Sequence, residues 1–401
     1  MGAEDNRDIS IICFGDNDWW YHNHGHMDLQ LMKQYAKTGR VLYVNSIVIR
    51  RFNIQEGTMF LRRVKRKVRS ILRGMKPSGI ENMTVYSPFT MPVHHIFGAR
   101  YLNRLALQLQ VGHCVGKLGM PEPIMWVACP GAAEVAIGLP HSKLVYQRSD
   151  RYEDFPGSDS KQVRLYDQSL KKHADLVIYV NRDLWIREKA ECKKAIFLDH
   201  GVDYELFAHA HKDQHIPEEM KRIPHPIIGV HSQIDENKVD VPLVEGLSDI
   251  LSDMSIVLVG GSNIDLSRLA SRKNVYLLGQ KPYEQVPHYA KCFDVCFLPC
   301  PQNRWVEAAN PIKLKEYLAL GKPIVSAPCS AIEAYKGLAY VASGVKAFAN
   351  AVRKACDEND PELVTARRER VCGSSWEAQA NEAMRVLHEV TPPSAEFQGV
   401  S

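Results

Sequence analysis

The sequence lacks the patterns by which several large classes of protein are recognised. It contains ten cysteines, yet no two of them form a Cys-x-x-Cys pair of the kind found in zinc sites and redox motifs. No apolar run reaches the roughly 18 residues that a membrane-spanning helix needs. The Gly-x-Gly-x-x-Gly fingerprint is also absent, which argues against a dinucleotide-dependent oxidoreductase.

Charge and the first residues point away from further classes. The formal net charge is only +4 at pH 7, which does not indicate nucleic-acid binding by the chain as a whole. Met1 to Asp8 do not have the pattern of a signal peptide, and Asn6 stands where N-myristoylation would require serine or threonine. We therefore expect a cytoplasmic protein with free, mostly buried thiols.

The pattern that is present is an alternation of apolar and amphipathic runs along both halves of the chain. Such an alternation is typical of parallel sheets covered by helices. Because 401 residues are too many for one ordinary core, two domains are expected. The sequence predicts an α/β fold of two Rossmann-like, doubly wound domains facing a cleft, where ligands bind at the carboxyl ends of the strands.

This pattern divides the chain into four segments. Residues 1–207 form the first predicted domain, and residues 227–375 form the second. A stretch rich in His, Lys and Pro separates them and is predicted to be a linker, residues 208–226. Residues 376–401 are predicted to hold a last amphipathic helix followed by a tail.

One segment of the second half, residues 310–326, combines a polar loop, an amphipathic helix, a tight turn and a buried strand. Gly321 is predicted to end the helix as a left-handed cap, and Pro323 prevents its continuation. Lys313 and Glu316 lie three positions apart on what is predicted to be an exposed side. The N-terminus of a helix itself attracts anions. We therefore predict that Lys313 binds the phosphates, and Glu316 the ribose hydroxyls, of a nucleoside diphosphate.

The same segment resembles the donor-binding motif of GT-B glycosyltransferases, in which a glutamate precedes a turn of a small residue, glycine, any residue and proline. Members that it resembles are bacterial polysaccharide enzymes, the teichuronic-acid-type glycosyltransferases and the xanthan glucuronosyltransferase. The resemblance covers most of the chain and places Asn310, Pro311 and Ile312 at the donor with Lys313. The common motif has an earlier glutamate where this sequence has Ala308, and Asn310 is the candidate to take over part of its role.

Two further positions in the second half are predicted to contact the donor. Gly260 and Gly261 end a predicted strand, where backbone N–H groups can approach a phosphate. Ser232 follows a strand that resembles the first strand of the GT-B C-terminal domain, where small residues line the diphosphate. The resemblance implies a nucleotide-diphosphate sugar as donor, with a UDP-sugar favoured, and no further cofactor.

A charged loop follows a predicted strand in the first half. Asp150 stands at the carboxyl end of that strand, where a carboxylate can remove a proton from an acceptor hydroxyl. The segment resembles Val-Tyr-x-x-x-Asp of the xanthan glucuronosyltransferase, which implies that Asp150 is the base. Glu153 and Asp154 are alternatives, and Asp150 could instead cap the following turn. A base opposite the leaving group implies inversion, whereas the Glu316 motif is shared with retaining enzymes; we favour inversion.

The loop after the first predicted strand would also lie at the cleft. Asp16, Trp19, His24 and Gly25 are predicted to bind the acceptor, with Trp19 or Trp20 stacking on a sugar ring. The alternative is a surface loop whose aromatic rings pack on a neighbouring helix. Three histidines at alternate positions could suggest zinc. No metal site is predicted, however, because no acidic or cysteine partner is evident and GT-B enzymes generally use no metal.

Residues 61–76 contain eight cations and no acidic residue. Their apolar residues fall on one helical stripe, the pattern of an amphipathic helix that lies on an anionic leaflet. Two alternatives are nucleic-acid binding, which no interleaved aromatic residues support, and packing of the stripe on its own domain. The stripe consists of Leu61, Val64, Val68, Ile71, Leu72 and Met75.

The sequence therefore predicts a glycosyltransferase of polysaccharide biosynthesis. It would move a sugar to a hydroxyl of a glycan or lipid-linked acceptor, with the first domain binding acceptor and the second binding donor. It is expected to lie peripherally on the inner face of the cell membrane and to bind no nucleic acid. The alternatives are another GT-B enzyme, such as a nucleotide-sugar epimerase, and an inactive GT-B binding or assembly protein.

Overall fold

The computed structural model describes residues 9–21, 24–47, 58–90, 97–155, 158–303, 306 and 310–390, with only the backbone described for 58–63 and 97. The chain divides into two compact units. The first unit comprises Met1–Asp199 together with Gln379–Ser401, and the second comprises His200–Ala378. The tail that the sequence predicts after residue 390 lies outside the described residues.

The first unit is built on an eight-stranded sheet with the order β3-β4-β2-β1-β5-β6-β7-β8. Its strands pair in parallel, except that β3 pairs antiparallel with β4. The strands are β1 (Ile9–Phe14), β2 (Gly39–Val44), β3 (Met75–Pro77), β4 (Met83–Tyr86), β5 (Ile124–Val127), β6 (Lys143–Arg148), β7 (Leu176–Tyr179) and β8 (Ala195–Phe197).

Helices connect these strands, as parallel pairing requires. They are α1 (Met27–Tyr35), α2 (Thr58–Arg73), α3 (Phe97–Leu118), α4 (Ala133–Ile137), α5 (Ser160–His173) and α6 (Arg182–Glu188). Short 3₁₀ turns occupy Pro130–Ala132, Tyr152–Asp154 and Lys189–Glu191. The inner strands read as continuous apolar runs because helices cover the sheet, and α3 packs Leu107, Val111 and Cys114 into the core of this unit.

The second unit has a six-stranded sheet with the order β11-β10-β9-β12-β13-β14, and all of its pairings are parallel. The strands are β9 (Ile227–His231), β10 (Ser255–Val259), β11 (Val275–Gly279), β12 (Val295–Leu298), β13 (Ile324–Ser326) and β14 (Tyr340–Val341).

The helices of this unit include several short ones. They are α7 (Tyr204–Ala208), α8 (Glu218–Lys221), α9 (Val241–Ile250), α10 (Ser267–Ala270), α11 (Val286–Ala290), α12 (Ile312–Leu320), α13 (Val345–Cys356) and α14 (Pro361–Cys372). The 3₁₀ turns are Ala210–Lys212, Tyr283–Gln285 and Ser330–Tyr335. Two Rossmann-like units of this kind confirm the predicted fold class.

The predicted linker 208–226 is part of the second unit rather than a connection between units. It contains α8 and a 3₁₀ turn, and it contributes Ala210, Met220 and Ile223 to the core. Val202 and Phe207 join the same core, so the unit begins at His200 instead of after 207. The polar composition of this segment predicted a linker, but its few apolar residues are spaced so that they pack into the core.

The last helix, α15, spans Trp376–Glu389 and contributes to both units by residue. Trp376 belongs to the second unit, where it lies against Gly201. From Gln379 onward the helix belongs to the first unit. There Tyr35 Oη donates to Ala380 O at 3.1 Å, and Lys143 Nζ donates to Val390 O at 3.0 Å. In the described part of the chain, no helix is both long and apolar enough to cross a membrane.

Gly321 gives a test of how α12 is terminated. It has φ +76, and an added Cβ would lie 2.8 Å from Val364 Cγ1. We expect Gly321→Ala to lower the free energy of unfolding by about 1–2 kcal/mol for the left-handed backbone, with a further loss of about 1 kcal/mol or more for overpacking. Gly337→Ala is the matched control, because Gly337 has φ +86 and open space around it. Equal urea-unfolding shifts for the two variants would contradict the packing part of this prediction.

Candidate functional site

Helix α12 begins without a side-chain cap at its N-terminus. Pro311 occupies the N-cap position, and proline has no side-chain group that could accept a hydrogen bond from the first turn. Asn310 and Pro311 lead into the helix, and Ile312 and Lys313 form its first positions. At the other end, Gly321 is the left-handed cap that the sequence predicts. The backbone N–H groups of such an N-terminus favour an anion.

The sequence predicts that Glu316 lies on an exposed side of this helix, and this prediction is wrong. Its side chain is only 4% exposed, because α12 is buried on almost all sides. Both carboxylate oxygens have partners. Tyr283 Oη donates to Oε1 at 3.1 Å, and His231 Nε2 lies 2.6 Å from Oε2. Burying a carboxyl group is tolerated when its oxygens are hydrogen-bonded in this way.

His231 is the partner of Glu316 that the sequence did not single out. It is the last residue of β9, and its backbone N–H donates to Tyr317 Oη at 3.0 Å. The imidazole lies between Phe207 and Tyr317, with ring centroids 6.2 Å and 4.9 Å away. Its Nδ1 is buried and accepts or donates no hydrogen bond among the described residues. The signal in the sequence is a histidine that closes an otherwise apolar strand.

Tyr283 is the second donor to Glu316. Burial, and then the charge of Glu316, raise the pKa of Tyr283 well above its usual range. The phenol therefore keeps its proton and remains a donor at any physiological pH.

Lys313 is half-buried near the start of α12. Burial, and then the nearby ammonium of Lys238, lower the pKa of Lys313, while Glu316 and Asp235 act in the opposite direction. Lys238 follows β9 in the chain and was not among the predicted residues. Two ammonium groups that repel each other across this site form a ready partner for a doubly charged anion, since the anion would relieve their repulsion.

The turn after β10 shows why glycine is needed at Gly260. A Cβ on Gly260 would lie 1.7 Å from Ser232 O, and Ser232 N donates to Val259 O at 2.9 Å. At Gly261 the nearest atom to an added Cβ is 3.4 Å away. The structure therefore brings Ser232 and the glycine pair together at the carboxyl ends of β9 and β10, with the tight approach at Gly260. Ala308, where the common motif has its earlier glutamate, lies outside the described residues.

In the first unit, Asp150 follows the end of β6 and is half-buried. Arg148 Nη1 donates to the backbone oxygen of Asp150 at 3.1 Å. Burial raises the pKa of Tyr152 well above its usual range, and the charges of Asp16 and Asp150 raise it further. The phenol of Tyr152 also donates to Ala128 O at 3.0 Å. The predicted base and a predicted acceptor residue thus share one neighbour at the carboxyl edge of this sheet.

Arg148 is a buried cation that holds the Asp150 loop. Its side chain is 1% exposed and pairs with Glu153 at 3.0 Å, Asp167 at 3.1 Å and Glu188 at 2.9 Å. Lys171 joins the cluster, with Nζ 2.6 Å from Glu188 Oε2. Burial opposes ionisation of Glu188, but the hydrogen bonds from Arg148 and Lys171 outweigh it and lower its pKa.

This cluster separates the three carboxylates predicted as candidate bases. Both oxygens of Glu153 accept from Arg148 Nη2, at 3.0 and 3.2 Å. Asp154 lies 4.0 Å from Arg151. Glu153 is therefore occupied in anchoring the loop, which favours Asp150 over Glu153 as the group that handles a proton.

Trp19 was predicted to stack on a sugar of the acceptor, and its position in the structure contradicts this. Its side chain is buried, with the residue only 4% exposed, and its ring stacks on His24 with centroids 4.2 Å apart. His24 Nε2 also lies 3.0 Å from Trp19 O. Trp19 and His24 therefore stabilise the loop, and Trp19 has no free face on which a sugar could stack. Gly25 is half-buried beside them.

Trp20 is also engaged within the first unit. The guanidinium of Arg73 lies 4.8 Å from the centroid of its ring, and Trp20 Nε1 donates to Ser87 Oγ at 3.3 Å. Asp16 remains half-buried, and its backbone N–H donates to Asp28 Oδ2 at 3.0 Å. The aromatic residues of this loop thus follow the alternative interpretation, because they pack on the structure around them. In the described ranges, no group of three His, Cys, Asp or Glu side chains is placed to hold a metal ion.

Comparison with known families finds a match within the second unit. Residues 225–358 match the family model described as Glycosyl transferases group 1. The chain is also similar to the putative teichuronic acid biosynthesis glycosyltransferase TuaH of Bacillus subtilis (strain 168), with 24% identity over 220 residues. That match covers 50% of this chain and 54% of TuaH, so the chain spans about half the length of this curated relative.

Solved structures identify the fold. Sucrose-phosphate synthase from Thermosynechococcus elongatus superposes with a TM-score of 0.67 at 16% identity, covering 96% of this chain and 99% of that one. HepE from Anabaena, in complex with UDP and glucose, gives 0.65 at 14% identity, covering 95% and 100%. The fold is therefore that of the GT-B glycosyltransferases, as the sequence resemblance predicted.

The cluster around Arg148 leads to a prediction about stability. Arg148→Met would leave three largely buried carboxylates without their main counter-charge, and breaking a buried ion pair costs about 3–5 kcal/mol. We expect a loss of this size in urea unfolding followed by circular dichroism. Arg151→Met is the control, because the more exposed Arg151–Asp154 pair should be worth less than about 1 kcal/mol. Similar small losses for both variants would show that the cluster does not anchor the loop.

Proposed function

We propose that this protein is a glycosyltransferase that moves a sugar from a nucleotide-diphosphate donor to a hydroxyl of a glycan or lipid-linked acceptor in polysaccharide biosynthesis. The observation that carries the proposal is the cluster at α12, within the residues that match the glycosyl transferases group 1 model. There, Lys313 and the carboxylate of Glu316 lie on the first two turns of a helix whose N-cap is proline, with Lys238 close enough to act on Lys313. The relative TuaH, whose name refers to teichuronic acid biosynthesis, supports the choice of acceptor class.

The donor would be held by complementary groups of the second unit. Lys313 and Lys238 would neutralise the diphosphate, aided by the N–H groups at the start of α12. Glu316 would accept from the ribose hydroxyls. Each of its oxygens already accepts one hydrogen bond, but a carboxylate oxygen has two lone pairs and can accept another. A UDP-sugar is favoured, since the related HepE structure contains UDP.

Asp150 would act as the base of the transfer. Its carboxylate takes the proton from the acceptor hydroxyl while that oxygen forms a bond to the anomeric carbon of the sugar. The bond from the anomeric carbon to the phosphate oxygen breaks, and its electron pair leaves with the nucleoside diphosphate. Lys313 and Lys238 would stabilise the charge that develops there. Attack opposite the leaving group inverts the anomeric centre, and no metal or other cofactor is required.

The first unit would bind the acceptor near Asp150. Asp16 is the neighbouring acidic residue, since both carboxylates act on Tyr152. Sugars are commonly bound through hydroxyl-to-carboxylate hydrogen bonds, for which Asp16 is suited. Trp19 and His24 would stabilise this loop through their contacts with each other and would not contact the sugar.

The basic helix α2 would place the protein peripherally on an anionic membrane. Its described cations Lys65, Arg66 and Arg69 are exposed. Two apolar residues of the predicted stripe are exposed as well, Val68 at 48% and Leu72 at 80%. Packing of the whole stripe on its own unit therefore does not account for this helix, which supports the membrane interpretation.

A nucleotide panel tests the donor site. We expect one nucleoside diphosphate among UDP, GDP and ADP to raise the melting temperature, with CMP and NAD without effect. Lys313→Ala and Lys238→Ala should each weaken that binding roughly 10- to 100-fold, because each removes a charge-assisted hydrogen bond worth about 1.5–3 kcal/mol. Lys346→Ala, an exposed cation elsewhere in the unit, should bind as the wild type.

The panel also separates the alternatives. Selective binding without turnover of any nucleotide sugar would favour an inactive binding protein, which the Ala308 position makes worth testing. Turnover of a nucleotide sugar without an acceptor would favour an epimerase. If Lys313→Ala and Lys238→Ala both bind the nucleotide as well as Lys346→Ala does, the assignment of the donor site is contradicted.

Asp150→Asn tests the base. The amide keeps the size of the side chain but cannot take a proton, so we expect kcat to fall roughly 10²- to 10⁴-fold with nucleotide affinity unchanged. Asp154→Asn is the matched control and should retain near-wild-type kcat. A near-normal rate for Asp150→Asn with its cognate donor would remove Asp150 from the mechanism while leaving the donor site intact.

A further inference from the structure

Helix α3 carries an apolar stripe on its outward side. Tyr101, Leu105 and Leu109 are four residues apart and are 51%, 37% and 76% exposed, and Leu102 beside them is 57% exposed. The opposite side of the same helix is buried in the core of the unit. A helix at the surface of a globular unit normally presents polar residues on its outward side. Here the outward side is apolar over two turns.

These residues belong to a concentration of exposed apolar side chains. Among the described residues, twelve large hydrophobic residues are exposed, and seven of them lie between Val68 and Leu109. Single exposed hydrophobic residues are ordinary, but neighbouring ones such as the four on α3 mark an interaction surface. The remaining five are scattered along both units.

Phe89 and a groove extend the stripe. Gln110 fixes the backbone of Phe89 beside α3, accepting from Phe89 N at 2.9 Å and donating to Phe89 O at 3.1 Å. Phe89 is itself 58% exposed. A groove of about 390 Å³ runs along Leu109 and is closed by Met75 and Tyr86. Met75 follows α2 by two positions, so the groove joins the α3 stripe to the end of the basic helix.

The charged residues of α3 itself are of one sign, and the described acidic residue that pairs with it is Glu134, 3.8 Å from Arg100. Neither α3 nor residues 57–80 contain an aspartate or glutamate. The outward line of α3 continues from Leu109 to His113 and Lys117, which are both exposed. An apolar face bordered by cations complements an anionic lipid leaflet, because hydrocarbon takes up the leucines while headgroups pair with the cations.

We propose that the outward stripe of α3 (Tyr101, Leu102, Leu105 and Leu109), together with Phe89, inserts into the interface of an anionic bilayer. The cations of α2 then contact the lipid headgroups. The surface predicted from the sequence was α2 alone, which would adsorb mainly by charge. Insertion through α3 is a separate contribution that salt does not screen. It extends the membrane part of the proposed function and does not depend on sugar transfer.

Vesicle sedimentation tests the stripe directly. The full chain is mixed with vesicles of phosphatidylglycerol and phosphatidylcholine in equal parts, or of phosphatidylcholine alone, with no donor or acceptor present. We expect binding to the anionic vesicles, weakened roughly tenfold or more in the double variant Leu105→Asn with Leu109→Asn. The matched control is Leu165→Asn with Ile186→Asn. Both of these residues lie in the same unit and are 52% and 55% exposed, so this control should bind as the wild type.

Two further readouts distinguish insertion from adsorption. Lys65→Gln with Arg69→Gln should weaken binding at low salt but leave little difference at high salt, whereas the leucine variant should be impaired at both. Leu109→Trp should shift its fluorescence to shorter wavelength on adding anionic vesicles, and Leu165→Trp should not. The leucine variant should keep the nucleotide response of the wild type, which separates failure of this proposal from failure of the donor site.

Several results would overturn the proposal. Wild-type protein that does not sediment with anionic vesicles would do so, as would leucine variants that bind equally well. Sedimentation velocity tests the alternative that a second copy of this chain binds the stripe. A wild-type dimer that the leucine variant converts to monomer, with no vesicle binding by either, would assign the stripe to self-association instead.

Discussion

The buried carboxyl group of Glu316 is the constraint on which the second unit depends. A polar group with so little exposure must find its partners inside the protein, and two separate parts of the chain supply them. The end of β9 provides His231, and the turn after β11 provides Tyr283. The strand ends are thereby fixed relative to the start of α12, where Lys313 lies. The anion site that we propose there depends on how this carboxyl group is satisfied.

The first unit also has a buried charged side chain that must be paired inside the protein, but here the side chain is a cation, Arg148. Arg148 ends β6 in the interior, and its five N–H donors are shared among carboxylates from the following loop and from two helices. One of these donors also reaches the backbone of Asp150. In each unit, then, a buried charged or polar side chain at the carboxyl edge of a parallel sheet holds the loop that carries the proposed chemistry. A parallel sheet favours this arrangement, since its strand ends and helix starts meet at one edge.

The fold could be predicted from the sequence, because alternating apolar runs and the Gly321 cap depend on local periods and local backbone needs. The burial of Glu316 could not, since α12 is enclosed on nearly every side and a one-sided stripe is then the wrong assumption. His231 and Lys238 were missed for a related reason: their importance comes from a partner far along the chain. Trp19 was predicted to be exposed because it lies in a polar loop, but His24 covers it. The linker was predicted from composition, although its few apolar residues decide where it packs.

Helix α3 shows the limit of such reasoning most clearly. Its sequence is apolar on both sides, and periodicity alone cannot say which side meets the sheet. Leu107 and Val111 pack in the core of the unit, which leaves Leu105 and Leu109 exposed on the outward side. Exposure of this kind lowers solubility, and the absence of acidic residues from α3 and from residues 57–80 would strengthen attraction to anionic surfaces. A lipid-linked acceptor is confined to such a surface. An enzyme that both adsorbs and inserts there would meet its acceptor by diffusion in two dimensions, so the apolar stripe and the proposed chemistry support each other.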